Sequence, residues 1–98
     1  MSIKRVQIGS KLKLDAVLKE QETKKGVVIC HPHPLYGGSM NNNVVNALEN
    51  GFYERGFTTL KFNFRGVGRS EGVYDEGIGE MDDVICAVNF LKETLKDN

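Results

Sequence analysis

Tryptophan is absent from the 98 residues, and proline, cysteine and histidine occur only twice each. A structural zinc site needs four donors, commonly in two separated pairs. Cys30-His31-Pro32-His33 puts three donors close together, but Cys86 alone lies elsewhere and no third histidine exists. No metal and no cofactor is expected. Neither sign of charge is in excess, with thirteen Lys plus Arg against thirteen Asp plus Glu. Such a chain has no bulk attraction to nucleic acid or to an anionic membrane surface. No apolar run approaches the ~20 residues of a membrane span. Met1-Ser2-Ile3-Lys4-Arg5 leads directly into Val-Gln-Ile, unlike a secretory leader. Cys30 and Cys86 both sit in apolar runs and read as small buried hydrophobes of a reducing, cytoplasmic protein. The length suits a single domain over residues 1–98 with a modest core.

Hydrophobic spacing divides the chain. Val6 and Ile8 alternate with polar residues, Gly9-Ser10 interrupts, and Leu12, Leu14, Ala16 and Leu18 alternate again. This reads as a hairpin around a two-residue turn. Gly26-Val27-Val28-Ile29-Cys30 is a short apolar run, expected as a strand covered on both faces. Residues 31–42 form a loop with both prolines and Gly37-Gly38. Asn41 to Asn43 can cap a helix whose stripe is Val44, Val45, Leu48 and Phe52, with Gly56 as its left-handed end. Leu60, Phe62 and Phe64 alternate with Thr59, Lys61 and Asn63, which predicts the next strand. After a glycine-rich loop from Arg65 to Gly79, the acids Glu80, Asp82 and Asp83 suit a second helix N-terminus. Met81, Val84, Ile85, Val88, Leu91 and Leu95 are expected to form its buried face. Strand, helix and strand in this order predict a right-handed crossover, a parallel pair and an α/β class.

Ligands of open α/β sheets bind at the carboxyl ends of the strands. Two loops leave those ends, His31-Pro32-His33-Pro34-Leu35-Tyr36-Gly37-Gly38 and Arg65-Gly66-Val67-Gly68-Arg69-Ser70-Glu71-Gly72. The first has the glycine and proline of a shaped backbone and the second the glycine, and such a backbone can aim N–H groups at an anion. Gly68-Arg69-Ser70-Glu71-Gly72 matches the string of a nucleophile elbow. An elbow needs a strand running into the serine and a helix leaving it. Neither adjoins Ser70, which reads better as a turn residue bonding local backbone. Gly66-x-Gly68 lacks the third glycine of a dinucleotide fingerprint. Arg65 and Arg69 could hold an anion, though such arginines more often tie a loop together.

Residues 27–40, with Asn42-Asn43-Val44-Val45, resemble the start of an α/β hydrolase, specifically the bacterial dienelactone-hydrolase-like group. Phe62-Asn63-Phe64-Arg65-Gly66-Val67-Gly68-Arg69-Ser70-Glu71-Gly72 and Asp75-x-Gly77-x-Gly79-Glu80 are similar to that group's second and third blocks. The resemblance covers most of residues 26–80. It implies the N-terminal half of an α/β-hydrolase sheet: an antiparallel hairpin, then two parallel strands with two helices. It implies that the loop after the third strand supplies an oxyanion donor. Pro32 and Pro34 have no N–H, which leaves His33 and Leu35 as the donors. His31, Tyr36, Gly37 and Gly38 would border the substrate pocket. Arg65, Gly66, Gly68 and Ser70 would form a structural turn. The serine on its elbow, the acid and the base have no counterpart among these residues, so no catalytic residue is assigned and this chain alone is expected to be inactive. The third strand would be an unprotected apolar edge at Val27–Cys30, open to the C-terminal half or to another copy.

The resulting expectation is a serine hydrolase fragment for a small carboxylic ester or lactone, with no nucleic acid and no membrane partner. The alternative is a non-enzymatic α/β module that self-associates through the exposed strand. A third reading is a small anion-binding domain using Arg65, Arg69 and the glycine loop.

Overall fold

The computed structural model describes residues 2–34 and 36–96. Its elements are β1 (Ser2–Ile8), β2 (Leu14–Glu20), β3 (Gly26–Cys30), α1 (Asn43–Glu54), β4 (Thr58–Phe62) and α2 (Ile78–Leu95). The sheet runs β1-β2-β4-β3. β2 is antiparallel to both β1 and β4, whereas β3 and β4 are parallel. This is the expected α/β class, with β3 at the edge.

Register decides what each face carries. Val28 stands beside Leu60, and Ile29 beside Lys61. Leu60 and Phe62, both fully buried, join Leu14, Ala16, Leu18, Ala87 and Leu91 in the main core beneath α2. Burial of each large side chain there contributes about 1.5–3 kcal/mol relative to exposure. Thr59 and Lys61 occupy the opposite face, beneath α1. There the Lys61 ammonium donates to Asn46 Oδ1 at 2.9 Å and pairs with Glu49 at 3.3 Å. The polar alternates of β4 are therefore buried too, because a helix covers each side of the strand.

Asn42 caps α1, its Oδ1 accepting from the Val44 amide at 2.7 Å and the Val45 amide at 3.4 Å. At the other end Gly56, at φ +92°, donates to the Tyr53 carbonyl, and Phe57 donates to that of Phe52. This bond pair closes the helix, and the Phe52 and Phe57 rings meet edge to face at 5.3 Å. Glu80 reaches back from the first turn of α2 to accept from the Gly77 and Asp75 amides, both at 2.9 Å. Burial pushes the Glu80 carboxyl up, but those bonds outweigh it and hold it below its ordinary value.

Four expectations need correction. The hairpin turn spans residues 9–13 rather than two, since Ile8 pairs with Leu14. Lys13 is drawn out of the ladder because its amide donates to Glu71 Oε1 and its carbonyl accepts from the Glu71 amide. β4 ends at Phe62, because the Phe64 amide turns to His31 instead of a strand. Met81, Ile85 and Val88 of α2 are exposed, and its inward face is Asp83, Ala87 and Leu91. Both cysteines are free thiols, Cys30 exposed at the end of the edge strand β3 and Cys86 half-buried beside the hollow at the β1–β2 turn.

Local geometry sets two expected outcomes. Asn42→Ala should lower stability by about 1 kcal/mol in urea denaturation, the usual worth of a lost cap. Arg5 Nε and Nη2 both donate to the buried Asp15 carboxylate. These bonds, against the opposing effect of burial, lower the Asp15 pKa from its ordinary 3.8. The contribution is complete above that value and is lost as pH falls through the lower folded one. An acid titration of the unfolding midpoint should therefore be shallower in Arg5→Met than in the parent.

Candidate oxyanion loop and its support

Both candidate loops leave the same rim of the sheet, because Cys30 and Phe62 stand side by side at the ends of two parallel strands. Within the first loop, the His33 carbonyl accepts from the Tyr36 amide at 3.0 Å and the Gly38 amide at 2.9 Å. His33 itself has φ +52°, a left-handed conformation uncommon for a residue with a side chain. Gly38 lies so close that a Cβ on it would run into the Pro32 and His33 carbonyls. A side chain at position 38 would open the turn. Among the described residues, no acceptor takes the His33 amide hydrogen. His33, Tyr36 and Gly37 are exposed. Leu35, the second expected donor, lies outside the described residues.

His31 faces inward instead. It is 3% exposed, its Nε2 accepts from the Phe64 amide at 3.2 Å, and its Nδ1 lies 3.0 Å from the Pro32 carbonyl. Accepting at Nε2 and donating at Nδ1 is the pattern of a neutral ring with its proton on Nδ1. The ring also packs edge-on against Phe64 at 5.1 Å. His31 thus joins the first loop to the backbone just beyond β4 and fixes where the second loop starts.

The second loop is tied down throughout. Ser70 Oγ donates to the Asn63 carbonyl at 2.7 Å and accepts from the Asp15 amide at 2.9 Å. It is buried with both bonds made, the arrangement of a structural serine. The Arg65 guanidinium grips Asp83 through Nε and Nη2, and the Arg65 amide donates to the same carboxylate at 3.0 Å. Gly79 leaves room for that guanidinium. Arg65 is therefore occupied, which removes it from the anion-binding reading. Gly66 and Gly68 take positive φ of 78° and 54°. A Cβ on Gly68 would press on Asn63 Nδ2.

Asn63 has no role assigned from the sequence, yet it joins both loops. Its side-chain oxygen accepts from the Met40 amide at 2.8 Å, where the first loop ends. Its amide donates to the Asp15 carbonyl at 2.9 Å. Its carbonyl takes the Ser70 hydroxyl. The available signal was a polar residue between Phe62 and Phe64, where alternation alone explains it. An open hollow of about 390 Å³ lies elsewhere, between the β1–β2 turn and α2, lined by Gly9, Leu12, Asp82 and Cys86 among others. Among the described residues, no three His, Cys, Asp or Glu side chains gather to hold a metal. No described helix is long and apolar enough to cross a membrane.

The chain superposes on an α/β serine hydrolase homologue from Coxiella burnetii with a TM-score of 0.87 and 38% identity, covering 95% of this chain and 47% of that one. It carries the N-terminal part of an α/β-hydrolase fold. An α/β serine hydrolase without a lid from Xanthomonas campestris gives 0.85 and 30%, over 93% of this chain and 44% of that one. An uncharacterised protein of Rickettsia prowazekii is 46% identical over 66 residues, which are 67% of this chain and 28% of that protein. No protein-family model matches. The chain spans less than half the length of each of these relatives. In this hydrolase-type sheet, the candidate oxyanion loop is braced from below by His31 and Asn63.

A stability measurement checks this bracing. Ser70→Ala leaves the Asp15 amide without its buried acceptor and should cost about 1–3 kcal/mol in urea unfolding. A serine free for chemistry would change stability little.

Proposed function

We propose that this chain supplies the oxyanion-binding half of a cytoplasmic serine hydrolase acting on small carboxylic esters or lactones. The observation that carries the reading is the His33 turn. The exposed residue His33, whose amide has no acceptor among the described residues, takes a left-handed backbone just past the carboxyl end of a parallel strand, in a chain similar to serine hydrolases.

The chemistry divides between two halves. A serine on the second half attacks the substrate carbonyl carbon, and a base there takes the hydroxyl proton. The C=O electron pair moves onto oxygen, where the His33 and Leu35 amides donate to it. Collapse of this intermediate expels the alkoxide, which takes the proton from the base, and water releases the acid by the same route. Tyr36, Gly37 and Gly38 border the acyl group, while His31 acts by position. One oxyanion donor is worth roughly 10²–10³ in kcat. Arg65, Gly66, Gly68 and Ser70 keep the turn beneath the site in shape.

The test is a covalent fusion of residues 1–98 to the part of the Coxiella hydrolase homologue outside the superposed region. The fusion should hydrolyse p-nitrophenyl acetate and take a fluorophosphonate on a serine of the Coxiella segment. The His33 amide proton should move downfield in the adduct. An unmoved His33 resonance in a labelled fusion would remove the oxyanion role. The 98-residue chain alone should stay unlabelled, and labelling at Ser70 would overturn the division of labour.

A further inference from the structure

Three consecutive amides follow the end of β4, and each meets a different segment. Asn63 donates to the Asp15 carbonyl of β2 at 2.9 Å, Phe64 to His31 Nε2 of the first loop at 3.2 Å, and Arg65 to Asp83 Oδ2 of α2 at 3.0 Å. The Asp15 acceptor is a carbonyl, which does not titrate, and the Asp83 carboxylate is gripped by the Arg65 guanidinium. The middle acceptor differs in kind. Histidine is the side chain whose charge changes between about pH 5 and 8, and a protonated imidazole has no acceptor left.

The ring is buried, so a proton on Nε2 would set two donors against each other out of reach of bulk water. At the other nitrogen, Nδ1 bonds to the Pro32 carbonyl at 3.0 Å. Gly38 packs on that carbonyl so closely that a Cβ there would overlap it, and the Gly38 amide donates to the His33 carbonyl. Imidazole, Pro32 carbonyl, Gly38 and the His33 turn are one chain of contacts. A ring that swings out strips the Pro32 carbonyl of its partner and loosens the turn. The charged groups of the neighbouring elements are engaged elsewhere. Lys61 of β4 pairs with Glu49 of α1, Arg65 pairs with Asp83, and Glu80 of α2 accepts from the Gly77 and Asp75 amides. Cys30 and His33 lie beside His31 in the chain and make no bond to its ring. Among the described residues, no carboxylate bonds to the imidazole to offset a positive charge.

We propose that His31 is a proton-operated latch on the His33 turn. The neutral ring holds the turn closed, and one proton on Nε2 breaks the bond to the Phe64 amide and releases it. Opening takes up a proton, so the closed turn gains stability as pH rises. The latch follows from contacts within this chain, while its meaning as regulation of an oxyanion site rests on the hydrolase reading. There His31 is a positioning residue, and acid weakens the site by misplacing its donors, separately from any protonation of the base.

The experiment follows the nitrogen-labelled chain by NMR from about pH 8 to about pH 5. The His31 ring nitrogens and the Phe64, Tyr36 and Gly38 amides should titrate with one shared midpoint. Hydrogen-exchange protection of the Phe64 and Gly38 amides should fall about tenfold or more across it, while that of Gly56 beyond α1 holds. In His31→Gln the side-chain oxygen can still accept from Phe64 but takes up no proton, so Gly38 should stay protected throughout. His33→Asn keeps a residue suited to positive φ and removes the other imidazole, and the transition should survive in it. Should His31→Gln not fold, the parent and His33→Asn decide the matter. Amides that stay still while His31 titrates, a His31 ring that stays neutral over the whole range, a transition that persists in His31→Gln, or one that vanishes in His33→Asn would each overturn the latch. None of these results touches the hydrolase reading, which the fluorophosphonate adduct of the fusion decides.

Discussion

The arrangement of the rim depends on the bonds gathered at Asn63. A residue just past the end of β4 holds β2 through its amide, the glycine turn through its carbonyl and the first loop through its side chain. These groups are buried, where an unmet hydrogen bond costs far more than a met one contributes. The arrangement of the two loops satisfies all of them. His31 adds a second tie from β3 to the amide of Phe64. Both ties flank the left-handed turn at His33 and come from within the chain. A site for a developing oxyanion requires this, since donors that must reorganise during the reaction lose most of their advantage.

A rigid rim beside a bare strand edge is an uneven distribution of stability. The β1, β2 and β4 side has a closed core and two ion pairs with buried carboxylates, Arg5 with Asp15 and Arg65 with Asp83. The β3 side has bare apolar stripes and a strand edge without charge or proline to blunt it. Such an edge is a template for pairing. The two features lie next to each other, because β3 ends where the candidate oxyanion loop begins. Whatever pairs with that edge is brought to the loop.

Much of this was legible in the residues. The Asn cap, the Gly56 helix end and the parallel pair follow from local chemistry that leaves few alternatives. The structural role of Ser70 was visible because no strand enters it and no helix leaves it. The inward face of α2 was not legible. Its apolar residues span a wide arc, and helical spacing cannot say which part of that arc meets this sheet and which part meets something else. Met81, Ile85 and Val88 look like core by pattern, and they are surface in these residues alone. His31 shows a different limit. Its place in a functional-looking loop suggested a pocket residue, whereas its two ring nitrogens are both used for support. Loop sequence reveals that a backbone is shaped, but not which side chains shape it.

A hydrophobic pattern records every surface a residue is suited to meet, whether or not that surface is present. The stripe on α2 and the groove on α1 therefore carry information about a neighbour as well as about this fold. Met81 and Val88 of α2 and Val44 and Leu48 of α1 lie exposed toward β3 on opposite sheet faces. This is the expected result if one layered neighbour covers both. Bracing the candidate oxyanion loop from within this half, through Asn63, His31 and the Arg65–Asp83 pair, makes the loop's geometry independent of that neighbour.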